Sequence, residues 1–323
     1  MPLYIIKASR SITSRIHAHE ALFVGYIFFL AVFETLINPS LLNYGVMAGM
    51  LAALFGSIHF SGRNSFFQLL RNIVPIVLIP PVFSITYKLV PQISPYFIDD
   101  WLIKIDYMMF GVNPTEWMMR ISNPVLTEWL QLAYVLFYLL PISVPVLLLK
   151  QKRYKDFQAT TFLVIYGFLL SYLGYFFTPA VGPRYTLHNI ATINSELPGI
   201  FMADALRNLL IYLEGPLATN TFPSGHTDLT LCSLYLAWMY DKKLFKLMLP
   251  VGISIIFATV YLRYHYVIDL IAGVGFFLFT IKTSPYFQKW IETQVAYMSD
   301  FLRTIRLPES APSVLQSKMQ NDA

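Results

Sequence analysis

The chain has 323 residues, 56% of them hydrophobic and 13% charged, with a mean hydropathy of +0.56. Soluble domains carry about 25% charged residues, so this composition excludes an ordinary soluble domain and points to repeated membrane crossing. The formal charge of +5 does not argue for nucleic acid, because Lys and Arg fall in small clusters between apolar runs, and the single Cys232 excludes a disulfide framework or a cysteine-rich metal site.

A helix needs about 20 mostly apolar residues to cross a bilayer. Eight such stretches follow in chain order: Ala21–Ile37, Leu42–Phe60, Ile73–Val90, Val125–Leu149, Thr161–Phe177, His226–Tyr240, Leu247–Leu262 and Tyr264–Ile281. Pro75, Pro80 and Pro81 predict a kink in the third. Residues 91–124 mix Asp99, Asp100, Trp101, Asp106, Trp117 and Arg120 with apolar neighbours, which predicts an amphipathic helix in the membrane interface. Ile200–Leu213 has the composition of a short surface helix, and the polar tail after Pro308 is expected to be disordered. Lys7, Arg10 and Arg15 precede the first apolar run without a small-residue cleavage site after it, so no cleaved leader is expected.

The expected fold is all-α, a polytopic membrane helix bundle of about eight transmembrane helices with a six-helix catalytic core. Residues 1–60 would hold an N-terminal cytoplasmic segment and two extra spans, 61–285 the core, and 286–323 a cytoplasmic tail. With both termini inside, 17 of the 23 Lys and Arg fall on the cytoplasmic side. That asymmetry predicts the orientation and places the chemistry-bearing segments on the extracytoplasmic face.

Two segments carry that chemistry: Thr221-Phe-Pro-Ser-Gly-His-Thr227 and Arg263-Tyr-His-Tyr-Val-Ile-Asp269. Pro223-Ser224-Gly225 is a turn opening a helix, whose N-terminal amides suit an anion, followed by His226. Ser224 adds a hydroxyl, and Gly225 lets a phosphate approach the backbone. The plain alternative is an ordinary Ser224 cap followed by an interfacial histidine. His265 and Asp269 are four apart and would share one helical face, the carboxylate orienting the ring. Their plain alternative is a polar pair satisfied inside the bundle. Ionisable residues within spans are costly and usually functional, which favours the functional reading. Arg184 and Arg263 are ordinary loop or snorkelling cations alone, and gain weight by falling on the same side. His188, His226, His265, Asp228 and Asp269 offer metal ligands, but no spacing matches a zinc motif, so neither metal nor cofactor is expected.

Phe222-Pro-Ser-Gly-His226 and His265-x-x-x-Asp269 resemble the second and third motifs of the type 2 phosphatidic acid phosphatase superfamily. The resemblance covers roughly residues 95–280. It implies a metal-free phosphohistidine mechanism with His265 as nucleophile, Asp269 as its orienting partner and His226 as general acid. Ser224, Gly225 and Arg184 match phosphate-binding positions, and Arg263 stands near them. The chain departs from the phosphatase branch at two cationic positions, which are Phe177 and Thr259 here. The third motif without its distant Arg is similar to the sphingolipid-synthase branch. So is the stretch Asp99–Trp117, with Asp106, Phe110-Gly111 and Pro114-Thr115, together with Tyr134 and Tyr138. The implied function is transfer of a phospho-head group from a phospholipid donor to a lipid-alcohol acceptor, as in inositol phosphorylceramide synthases. The alternatives are a lipid phosphate phosphatase and, from another class, an inactive scaffold or lipid carrier.

Overall fold

The computed structural model describes residues 16–94, 96–187, 197–214 and 219–305. Lys7, Arg10, Arg15, His188 and the tail after Pro308 lie outside them. The described residues form helices and no strands. In order these are α1 (Ala18–Ile37), α2 (Leu41–Phe60), α3 (Ser65–Val77), α4 (Ile79–Ile93), α5 (Asp99–Phe110), α6 (Pro114–Met118) and α7 (Pro124–Leu136). There follow α8 (Leu140–Lys150), α9 (Tyr154–Phe177), α10 (Pro183–Thr186), α11 (Ala203–Glu214), α12 (Gly225–Tyr240), α13 (Lys242–Tyr261) and α14 (Val267–Ile305).

Seven helices or helix pairs are long and apolar enough to cross a membrane: α1, α2, α3–α4, α7–α8, α9, α13 and α14. The protein is therefore a polytopic integral membrane protein. The eighth expected span, α12, has 16 residues. It carries Thr227, Asp228, Thr230 and Ser233 toward the interior, and α8, α9, α13 and α14 enclose it. A central helix needs no apolar face toward lipid, which is why it can be short and polar.

Prolines shape two spans. The kink expected in the third falls at Leu78, between α3 and α4, with Pro80 in the first turn of α4, where no N–H is needed. The fourth span breaks into a 3-10 turn, Phe137–Leu139, before Pro141 restarts the helix. Helix starts are capped by side chains: Asn64 for α3, Asn123 for α7 and Asp241 for α13. The last helix begins later than Tyr264 and runs on past Ile281 to Ile305.

Helix α9 is the spine and packs on α1, α4, α8, α12 and α14. One core cluster joins α1, α2 and α4 to α9 through Phe23, Ile27, Leu54, Leu89 and Ile165. A second joins α8, α9, α12 and α13 through Leu148, Val164, Leu229, Cys232 and Ile255. Arg71, which stands just before the expected third span, lies inside α3 and is 2% exposed, with both its Nε and Nη2 on the Glu20 carboxylate at 2.6 and 2.8 Å. The interfacial segment forms α5 and α6, with Trp101, Tyr107, Met108 and Phe110 exposed and Asp99, Leu102 and Asp106 turned inward.

Candidate active site

The site forms where α13 turns into α14. After Tyr261 the chain folds back, and the amides of Tyr264 and His265 both donate to the Thr259 carbonyl, at 2.9 and 3.0 Å. Arg263 takes a left-handed φ of 67° to make this turn, a conformation that costs a side-chain-bearing residue energy. His265 thus precedes α14 and does not share a helical face with Asp269, as the spacing suggested. The two meet because Asp269 is the third residue of α14 and reaches back over the helix end. Its Oδ2 accepts the Tyr266 amide at 2.8 Å, in the manner of a capping box, and lies 3.3 Å from His265 Nδ1.

Helix α12 brings in His226. Ser224 caps this helix, its Oγ accepting the Thr227 amide at 3.2 Å, and its own amide donates to the Asp269 carbonyl. Gly273 permits this close crossing: a Cβ there would lie 2.7 Å from the Ser224 carbonyl oxygen. His226 Nδ1 then faces His265 Nε2 at 3.4 Å. The ring packs against Tyr134 and Phe137, with centroids 4.5 and 4.2 Å away. The partners assign the protons: His265 Nδ1–H donates to Asp269, Nε2 keeps a lone pair, and His226 Nδ1–H points at it. Among the described residues, the buried His226 Nε2 and Asp269 Oδ1 have no hydrogen-bond partner. Buried polar atoms are seldom left so, and catalytic groups are a common exception.

The arginine side of the site is built from α10 and its approach. Gly182 has φ 89°, and a Cβ there would sit 2.7 Å from the Tyr264 carbonyl oxygen, so only glycine lets this strand of backbone cross the α13–α14 turn. The Arg184 amide donates to the Arg263 carbonyl at 3.0 Å. Arg184, Arg263, Tyr264 and His265 line one cavity, with Asn220 and Thr221. Ser224 and Gly225 stand outside it: Ser224 serves as the cap, and the space over Gly225 is taken by the Tyr175 hydroxyl, 2.9 Å from where a Cβ would be.

Several residues here were not assigned a role from sequence. Arg207 of α11 lines an adjoining cavity with Arg184 and Arg263. It also donates to Asp204 and to the Leu197 carbonyl. Glu128 of α7 accepts the amides of Ile200, Phe201, Met202 and Ala203, which staples the start of α11 beside the site. Asp106 accepts the amides of Val267 and Ile268 at 2.8 and 2.9 Å. Asp99 accepts those of Val181 and Gly182 at 3.0 and 2.8 Å, and the Tyr266 hydroxyl at 2.9 Å. Burial pushes the Asp106 carboxyl above its ordinary value, with the two amides pulling the other way. Burial and the nearby Asp99 raise the Tyr266 phenol, so it stays protonated as a donor. The signal available in sequence was the seven-residue spacing of Asp99 and Asp106, about two helical turns and hence one face.

No curated protein and no solved structure matches the chain. The sequence profile of the PAP2 superfamily does, over residues 100–283, a span that contains both histidine motifs, Arg184 and Asp106. The match covers more than half of the chain, which therefore belongs to the PAP2 superfamily.

Proposed function

We propose that the protein is a membrane lipid phosphotransferase that moves a phospho-head group from a phospholipid to a lipid hydroxyl, in the manner of inositol phosphorylceramide synthases. The observation that carries the reading is the row Asp269 Oδ2, His265 Nδ1, His265 Nε2, His226 Nδ1, with gaps of 3.3 and 3.4 Å at its two contacts. At 3.4 Å the two rings are in hydrogen-bond contact, so a phosphoryl group enters as His226 parts from His265, and it then meets a nucleophile on one side and a proton donor on the other. His265 Nε2 attacks phosphorus, and the bond to the diacylglycerol oxygen breaks as His226 protonates it. An acceptor hydroxyl then gives its proton to His226 and attacks phosphorus, and the P–N bond breaks. Arg184 and Arg263 hold the phosphoryl oxygens as charge moves onto them.

Transfer rather than hydrolysis is favoured by the two lost cations. Phe177 is 76% exposed at the end of α9, and Thr259 is buried with its hydroxyl on the Ile256 carbonyl. Neither grips a dianionic monoester, which suits a diester donor. Tyr264 packs on Tyr134 at 4.6 Å and walls the cavity, which favours a lipid hydroxyl over water. The convergence of Arg207 with Arg184 and Arg263 favours the second reading, a lipid phosphate phosphatase, because three guanidinium groups suit a dianion.

Product analysis decides between them. Purified protein given a phosphatidylinositol-like donor and a ceramide-like acceptor should yield a new phospholipid and diacylglycerol, and phosphatidate should release little phosphate. Fast phosphate release from monoesters, with no transfer product at saturating acceptor, rejects the transferase. The same reading places both termini in the cytoplasm and the site on the outer or luminal face, within a catalytic unit spanning residues 61–285. A Phe201→Cys variant, at a position 87% exposed, should react with an impermeant thiol reagent from that side; labelling from the cytoplasm alone reverses the orientation.

A further inference from the structure

We propose that Asp99 and Asp106, two carboxylates on the interfacial helix α5, are the positioning residues of the site: Asp106 sets the histidine arm and Asp99 sets the arginine arm. The inference rests on the phosphohistidine reading above. It concerns residues that touch neither the substrate nor the reacting atoms.

The geometry of each clamp is specific. Asp106 takes one amide on each oxygen, from Val267 and Ile268, the first two residues of α14. The next residue is Asp269. A helix N-terminus offers its amides to any nearby anion. Here Asp106 occupies them, so this helix end is held by a protein carboxylate and the substrate phosphate is left to the arginines. Fixing the first turn of α14 fixes the carboxylate that orients His265. Asp99 acts on the other arm. Its Oδ2 accepts the Val181 amide, and its Oδ1 accepts the Gly182 amide and the Tyr266 hydroxyl. Val181 and Gly182 lead into Pro183-Arg184, and Tyr266 follows His265 directly. One helix therefore ties both arms through five hydrogen bonds to two carboxylates that are 3% and 2% exposed. A misplacement of about 1 Å at a reacting centre costs on the order of 100-fold in rate, so clamps of this kind show in turnover as well as in stability.

The two arms predict different kinetic signatures. Asp106→Asn keeps shape and one acceptor but sets an amide NH₂ against a backbone N–H. It should lower kcat by about 10–100-fold with donor KM nearly unchanged, and shift the pH–rate profile, because the His265–Asp269 contact loosens. Asp99→Asn should instead raise donor KM several-fold, because Arg184 moves, with a smaller loss in kcat. Asp106→Glu should recover part of the rate. Val267→Pro removes one donor to Asp106 at a helix position that tolerates proline, and should lower kcat while leaving both carboxylates intact, which covers the case that the Asn variants do not fold. These are measured on the full chain in lipid nanodiscs, with thermal unfolding alongside. Wild-type kcat, KM and pH profile in the folded fraction of all the variants, with only unfolding temperature lowered, overturns the proposal. His265→Ala is run in parallel. Activity surviving there means the phosphohistidine reading has failed; a dead His265→Ala beside wild-type clamp variants means that only the clamp has.

Discussion

Two buried polar clusters sit near opposite ends of α9. Gln158, in its first turns, meets His17 at 3.1 Å, beside Glu20 and Arg71. Tyr175, in its last turn, stands against Gly225, which precedes His226. The seventeen helical steps from Gln158 to Tyr175 span about 25 Å at 1.5 Å per residue, close to the hydrocarbon thickness of a bilayer. The clusters differ in how fully they are satisfied. Glu20 takes two bonds from Arg71 and one from the His17 amide at 2.7 Å. The ligand atoms of His17, His19 and Glu20 lie within 4.8 Å of one another, as a cation site would need, but the Arg71 guanidinium already occupies both Glu20 oxygens. The histidine cluster leaves His226 Nε2 and Asp269 Oδ1 without a hydrogen-bond partner among the described residues. A closed network fixes a fold, whereas an open one is held in place by its surroundings and can rearrange when a ligand enters.

The largest test of that contrast is chemical. His265→Ala should abolish turnover and phosphoenzyme trapping, and His226→Ala should slow both steps by ~10²–10⁴-fold. A labelled intermediate that persists in His265→Ala would assign the nucleophile elsewhere. The opposite signature is expected at the other cluster. Arg71→Met strands a buried carboxylate and should cost about 3–5 kcal/mol of stability while leaving kcat per folded molecule unchanged. Chemical denaturation with parallel rate measurements reads both, and a loss of kcat without a loss of stability contradicts the division.

Ser224→Ala removes the cap of α12 and should cost about 1 kcal/mol, with activity falling only as far as His226 shifts. A complete loss of activity in a stable Ser224→Ala protein would return the hydroxyl to the substrate. A smaller effect comes from pH. Burial draws the His17 imidazole below its ordinary 6.5, against the opposing pull of Glu20. The unfolded chain then binds the proton more readily, so this contribution is full above pH 6.5 and is lost as pH falls from there through the folded value. Unfolding midpoints taken across that window should show the loss, and His17→Gln should lessen it. No effect at all is expected from EDTA on turnover, since the arginines carry the phosphate charge, while vanadate should inhibit. Rescue of an EDTA-inactivated protein by Zn²⁺ or Mg²⁺ would overturn the metal-free site.

The spans were legible because lipid demands long apolar helices, and the two histidine motifs were legible as strings. What sequence misplaced was local. His265 and Asp269 looked like helix neighbours, but the left-handed Arg263 and the paired bonds to Thr259 end α13 before them, and Asp269 works from the first turn of α14. A charged residue in a loop-like stretch also reads as solvated, which hid Arg71. Asp99 and Asp106 read as the polar face of an interfacial helix, because their partners are backbone amides more than 80 residues away. Gly225 looked open for want of a side chain, yet Tyr175 from α9 fills the gap. The end of α14 was set too early because its later turns are polar, although they remain helical to Ile305.

The aromatic packing around His226 has a kinetic consequence under the proposed mechanism. With the ring packed on Tyr134 and Phe137 and its Nδ1 toward His265, the nitrogen that releases the first alcohol would also receive the second. The leaving and arriving alcohols would then use one berth in turn. Initial rates should follow a ping-pong pattern with parallel double-reciprocal lines, and surplus acceptor should inhibit by seating itself before the donor has reacted.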